Sequence, residues 1–275
     1  MPNKEIAVKR PLWYWLRSLV ESHPYIWYLA WKLSHYLPLI LPHDKIYLAT
    51  DHFGLAPGDL VLDVGANDGI STLSFHHVNS HLKMFSIEAN AMHRGSLEKL
   101  KSRLPAFDYR IAGAGSERGN LTLYTPKYRF VNLHTFASTD ENLVRKGVTE
   151  VFGKRVGKRV KILPSLVEII PLDELRLAPR VIKIDVEGFE YFVLKGAMET
   201  LRRHRPFLIL ETDHDNGGLV AQLLQDLDYI ILDYDHKCRV FSFANFNQRP
   251  VKLNRNHIAA PFEKQTNLPF DPSLG

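Results

Sequence analysis

Cysteine is nearly absent from this chain: Cys238 is the single one in 275 residues. One thiol excludes an internal disulfide framework and any zinc site built from several cysteines. It fits a reducing compartment, so a cytoplasmic location is expected. Long apolar runs are also missing. The longest, Tyr25 to Leu41, is interrupted by Lys32, His35 and Pro38, which is too short and too polar for a transmembrane helix. The N-terminus does not read as a secretory signal, because Lys4, Glu5, Lys9 and Arg10 precede the apolar stretch and Arg17 and Glu21 break it. Extreme charge is lacking as well. A net charge of +5 and a pI near 9.1 do not by themselves imply nucleic acid. There are no internal repeats and no long low-complexity segment.

What is present is a chain 45% hydrophobic, enough for one sizeable α/β domain with extensions. Pro11 suits a first helical position, and Leu12, Leu16, Leu19 and Val20 share a face, so a helix is expected over 11–22. A second helix is expected from Pro24 to Leu37, with Ile26, Leu29, Leu33 and Leu37 on one face and Trp27, Tyr28 and Trp31 on the other. That helix has two readings: a cap packed on the main domain, or an interfacial membrane contact through residues 11–41 at the inner face of a membrane. From about residue 58 strands and helices alternate. Strands are expected at 60–64, 82–88, 107–112, 119–124, 180–185, 206–211, 229–233 and 239–244, with helices near 69–79, 91–103, 189–203 and 217–226. Apolar strands separated by helices predict a mostly parallel, doubly wound sheet with ligands at the carboxyl ends of its strands. Residues 125–161 break the rhythm with a high density of Lys and Arg and with Gly147, Gly153 and Gly157. They read as a solvated basic insertion or as a lid over an anionic substrate.

The sharpest motif is Asp63-Val64-Gly65-Ala66-Asn67-Asp68-Gly69 after Leu60-Val61-Leu62, a buried strand entering a glycine turn and then a helix. Gly65 and Gly69 would let a ligand approach the backbone, and the helix N-terminus offers free N–H donors. A dinucleotide fingerprint needs Gly-x-Gly-x-x-Gly to cradle a pyrophosphate, and that spacing is lacking here. The later Gly113-Ala114-Gly115 run has the wrong spacing and reads as a loop. Asp63 beside the turn suits S-adenosylmethionine, which carries an ammonium, a sulfonium and a ribose diol. Glu88 closes the second strand, where a carboxylate can accept both ribose hydroxyls.

Acids gather at two further strand ends. Asp185 and Glu187 follow Lys183-Ile184, and Glu211, Asp213, His214 and Asp215 close the fifth strand. If those strands are neighbours, several carboxylates converge on one mouth. They could deprotonate a hydroxyl, bind one, or hold a hard cation such as Mg2+ through Asp185, Glu211 and Asp213. His214 is a candidate general base because imidazole titrates near neutral pH. His134, the His77/His81 pair and Cys238 read as structural. The bland alternative throughout is that charged residues simply collect at strand ends.

Together, Leu62–Gly69, Ile87-Glu88, Ile182–Glu190, Val193–Ala197, Ile170–Leu175 and Asn256–Pro261 resemble the FkbM family of S-adenosylmethionine-dependent methyltransferases. The resemblance covers roughly 58–261. It implies a class I methyltransferase fold: a Rossmann-like, mostly parallel seven-stranded sheet with helices on both faces, here with an N-terminal helical extension. It also implies O-methylation of hydroxyls on sugars or natural products. By resemblance Gly65, Asn67 and Glu88 serve the cofactor and Asp185 and Glu187 the fourth-strand site. The turn itself adds Asp63, Ala66 and Gly69 to the cofactor set, and Glu211 and His214 join Asp185 and Glu187 as catalytic candidates. The expected division is an aromatic helical extension over 1–57, a methyltransferase domain over 58–261 and a tail over 262–275. The expected partner is a small-molecule or glycan acceptor, anionic if the basic insertion meets it. Nucleic acid is not expected, since no Asn-Pro-Pro-aromatic motif follows the fourth strand. The rival reading is a cofactor-binding or membrane-associated scaffold without catalysis.

Overall fold

Strands that are buried on both faces read as continuous apolar runs, and the residues Leu60–Val64, Pro179–Ile184 and Phe207–Glu211 behave accordingly. The computed structural model describes residues 23–26, 28–29, 42–186, 188–211, 217–244 and 256–271. The helix expected over 11–22, most of that over 24–37 with Trp27 and Trp31, and the candidates Glu187, Asp213 and His214 lie outside the described residues.

In chain order the elements are a 3-10 stretch (Lys45–His52), β1 (Leu60–Val64), α1 (Ile70–Val78), β2 (Lys83–Glu88), α2 (Arg94–Arg103), β3 (Phe107–Ile111), β4 (Gly113–Ala114), β5 (Gly119–Tyr128), β6 (Val131–Asn132), α3 (Glu141–Phe152), α4 (Lys154–Gly157), β7 (Lys161–Ile170), β8 (Pro179–Ile184), α5 (Glu190–Lys195), α6 (Met198–His204), β9 (Phe207–Glu211), α7 (Gly217–Gln225), β10 (Tyr229–Asp235), β11 (Val240–Phe243) and β12 (Asn256–Pro261). The chain divides into two compact units, Leu37–Leu121 with Leu166–Gly275, and Met1–Tyr36 with Thr122–Ser165.

The larger unit is built on a sheet of order β11-β10-β12-β9-β8-β1-β2-β3. From β3 to β9 neighbouring strands are parallel, whereas β12 runs antiparallel to β9 and β10, and β11 antiparallel to β10. The sheet therefore has eight strands and is mixed, where seven were expected. The strand not expected is β12, whereas the one expected at 119–124 belongs to β5, outside this sheet, and the one expected at 239–244 is β11, in a hairpin with β10. Successive residues of each central strand point to opposite faces. Val61, Val181, Phe207 and Ile209 enter one core layer with Phe75 of α1 and Leu97 of α2. Leu62, Ile182, Leu208 and Leu210 enter the other with Leu194 of α5, Leu201 of α6 and Leu224 of α7. Helices thus cover both faces. Each fully buried Leu, Ile or Val adds about 1.5–3 kcal/mol of burial free energy. The helix expected over 189–203 is two short ones, because Gly196 intervenes. A Cβ there would lie 1.9 Å from the carbonyl oxygen of Gly115. Gly113–Ala114, expected as loop, pairs with Ile169 and Ile170 of β7.

The smaller unit has its own core of Tyr128, Val131, Leu133, Val148, Phe152, Val156 and Val160. Asp140 caps α3 by accepting from the N–H of Asn142 at 2.7 Å. Around α4, Lys154, Arg155, Lys158 and Arg159 are exposed while Val156 and Val160 are buried. That spacing, and not solvation alone, orders the basic segment. Tyr25, from the aromatic N-terminal stretch, packs here with its ring 4.7 Å from that of Phe130.

Candidate active site at the carboxyl ends of the strands

Strand order reverses between β1 and β8: β2 and β3 lie to one side, β9 to the other. In such sheets the crevice outside the carboxyl ends at the reversal is where ligands bind. The glycine turn and Asp185 sit at that point. Gly65 has φ +82, and a Cβ on it would lie 1.8 Å from the carbonyl oxygen of Asp185. Gly69 has φ +89, and its Cβ would meet Leu100 at 2.5 Å. Protein neighbours therefore already demand both glycines, where the sequence pointed to ligand approach. Ala66, buried, donates its N–H to Ile87 at 3.2 Å. Asn67 takes the left-handed conformation, φ 54, which asparagine tolerates. Its Oδ1 is buried with no hydrogen-bond partner among the described residues.

Glu88 ends β2 and is only 8% exposed. Its Oε2 accepts from Asn67 N–H at 2.6 Å and its Oε1 from Asn90 N–H at 2.7 Å. Burial pushes its pKa up to about 7, against the opposing pull of those two N–H groups and of Lys183. Each oxygen keeps a lone pair for a further donor.

Asp63 lies behind the turn, 1% exposed. Its Oδ2 accepts from Ser71 at 2.6 Å and Thr72 at 3.1 Å, and its Oδ1 is 3.3 Å from Lys183 Nζ. Lys183 is buried in β8, donates to the Gly65 carbonyl at 2.9 Å and stands 3.2 Å from Asp185. Burial works to lower its pKa, but Asp63 and Asp185 overcome that and raise it, so the ammonium stays charged. A lysine inside Val181-Ile182-Lys183-Ile184 is the sequence signal for this buried ion cluster. The sequence reading used Lys183 only as part of a motif.

Because Ile184 pairs with Leu210, Asp185 falls opposite Glu211, and their carboxyl groups are hydrogen-bonded. Burial opposes ionisation of Asp185, yet Lys183, the Glu211 bond and His43 hold its pKa below the usual range. Two carboxyls sharing a hydrogen bond need one proton between them. Among the described residues no group of three or more His, Cys, Asp or Glu is placed to hold a metal ion, so Mg2+ finds no support.

His43 is the residue that sequence reasoning missed. It precedes the regular pattern and reaches the site by packing alone. Its Nδ1 is 2.9 Å from Ser74 Oγ, whose single proton goes to the Ile70 carbonyl at 2.9 Å. Nδ1 must then donate, which leaves the Nε2 lone pair available. Burial first, and then Lys183, lower its pKa, so the ring is neutral at pH 7.

A family model described as the methyltransferase FkbM domain matches residues 63–238. The chain belongs to the FkbM family of methyltransferases. Gly65, Asn67, Glu88, Lys183, Asp185 and Glu211 lie within the matched stretch of this FkbM family member, and His43 lies outside it. Among solved structures it is similar to the methyltransferase FkbM of Methylobacillus flagellatus KT, at 18% identity and TM-score 0.47 over 75% of this chain. It spans 44% of that protein's length. The precorrin-6y C5,15-methyltransferase of Geobacter metallireducens GS-15 aligns at 11% identity and TM-score 0.41, over 78% of this chain and 84% of that one. Fibrillarin of Aeropyrum pernix, solved with natively bound S-adenosyl-L-methionine, aligns at 12% identity and TM-score 0.38, over 79% and 74%. Curated proteins give no match. The residues at the strand reversal fit the family's methyl donor: a strand-end carboxylate with spare acceptor capacity and a buried amide oxygen in need of a donor.

Proposed function

We propose that this FkbM methyltransferase transfers a methyl group from S-adenosylmethionine to a hydroxyl of a sugar, glycan or natural-product acceptor. The observation that carries this reading is the hydrogen-bonded carboxyl pair of Asp185 and Glu211 at the strand reversal, within electrostatic reach of His43. S-adenosylmethionine, when bound, supplies an electrophilic sulfonium methyl group. Glu88 and Asn67 hold its hydroxyl and N–H donors, and Ala66 and the turn glycines shape the surrounding backbone. An alcohol is a weak nucleophile, so its proton must leave as the new bond forms. His43 Nε2 takes that proton, and Asp185 stabilises the resulting imidazolium. Glu211 keeps Asp185 oriented. Lys183 and Asp63 position the turn and Asp185 without touching the acceptor.

Location at the cytoplasmic face of a membrane belongs to the same proposal. It rests on the exposed basic face of α4 and on the exposed Ile26, Leu29 and Phe130. Among the described residues no helix is long and apolar enough to cross a membrane.

The test is methyl transfer from labelled donor to a panel of hydroxylated acceptors, beside calorimetric binding of the donor. In Asp185→Asn and His43→Gln, turnover should fall by about 10²–10⁴. Donor affinity should stay within about twofold. Full turnover in both variants removes the proposed base and its partner.

A further inference from the structure

A cleft of about 260 Å³ opens in the larger unit, lined by His43, Asp44, Lys45, Ile46, Tyr234, His236 and Asn256. Its walls come from the 3-10 stretch with the residues before it, the end of β10 and the start of β12. β10 is parallel to β9, and β12 begins opposite Glu211, so this cleft lies along the same carboxyl edge as the carboxyl pair. Asn256 pairs in register with Glu211 and donates its amide to Asp44 at 2.8 Å. His43 belongs both to the cleft wall and to the proposed proton-transfer site.

Two side chains from distant parts of the chain converge here: Lys45 Nζ donates to His236 Nε2 at 3.3 Å. The neighbouring carboxylates are already committed. Asp44 accepts from Ile46 N–H at 2.9 Å as well as from Asn256. Asp235 turns to the N–H groups of Lys237 and Cys238 at 2.7 and 3.1 Å. The mouth of the cleft is thus left with the remaining N–H donors of the Lys45 ammonium and, because Nε2 accepts, with the Nδ1–H of His236. N–H donors from two side chains suit the several acceptor oxygens of a phosphate.

We propose that this cleft binds a phosphate ester carried by the methyl acceptor, with Lys45 and His236 on the phosphate and the reacting hydroxyl toward His43. This names the acceptor class and rests on the methyl-transfer reading above. Of the lining residues, His43 to Ile46 and Asn256 lie outside the stretch matched by the family model, residues 63–238.

The experiment titrates the full chain, without methyl donor, with methyl phosphate and in parallel with dimethyl phosphate. Histidine side-chain NMR is the readout, and the His236 signal is identified by its loss in His236→Gln. Sodium chloride at matched ionic strength is the control. A saturable movement of the His236 signal is expected, at least about tenfold weaker in Lys45→Gln and restored in Lys45→Arg. Binding of the monoester favours a soluble phosphorylated acceptor, and binding of the diester a lipid-linked one. The same movement with chloride, or unchanged affinity in Lys45→Gln, overturns the proposal. Donor calorimetry is independent of this titration, so the site can fail while methyl transfer stands, and the reverse.

Discussion

In the smaller unit, Lys154, Arg155, Lys158 and Arg159 face solvent over a valine core, whereas in the larger unit Lys183 is enclosed between Asp63, Asp185 and the Gly65 carbonyl. The contrast extends to composition. The smaller unit carries 14 Lys and Arg against 5 Asp and Glu, the larger 21 against 25. Exposed like charges are screened and cheap to alter, and their use is a long-range field. A buried ammonium has fixed partners, and removing it strands a carboxylate out of water. Charge in one unit is therefore a surface property, and in the other a structural one.

The comparison breaks most readily at Lys183. Lys183→Met should destabilise the protein by about 3–5 kcal/mol in urea denaturation, because Asp63 is left buried beside an apolar side chain. A cost no larger than that of Lys158→Met would mean that the buried cluster is energetically like the surface.

Glu88 gives a smaller, pH-dependent effect. Its raised pKa, about 7, means that lowering the pH through that value protonates the carboxylate that accepts hydroxyl donors. Donor affinity by calorimetry should fall in acid, by at most about tenfold per pH unit below 7. A flat profile from pH 8 to 5.5 would separate Glu88 from the donor.

The smallest effect on stability, and the sharpest on association, belongs to α4. Reversing Lys154, Arg155, Lys158 and Arg159 to Glu should shift stability by no more than about 0.5 kcal/mol per site. Sedimentation with anionic vesicles, salt-sensitive in the unaltered protein, should be lost. Unchanged sedimentation would take the basic face out of any membrane contact.

The larger unit was readable wherever a strand is buried on both sides. β1, β2, β8 and β9 announce themselves as apolar runs ending in Asp, Glu or a glycine turn. β12 does not, because Ile258-Ala259-Ala260 is short and its identity as a strand depends on the slot between β9 and β10. α3 was hidden by the glycines and cations around it, although Val144, Val148 and Phe152 carry a helical spacing. Within the site, Glu88, Asp185 and Glu211 follow from strand-end logic. His43 had no local signal. Its role exists only because the segment before β1 folds onto α1 through Ser74, a contact that no periodicity encodes.

The position of β12 has a temporal consequence. β9 and β10 are both made before Asn256–Pro261 leaves the ribosome, yet they do not pair with each other; β12 is the strip between them. During synthesis the five parallel strands and the β10–β11 hairpin are two separate pieces with open edges, exposed to wrong pairing until the last strand arrives. The same strand brings Asn256 beside Glu211 and Asp44. Completion of the sheet and of the cleft are thus one late event.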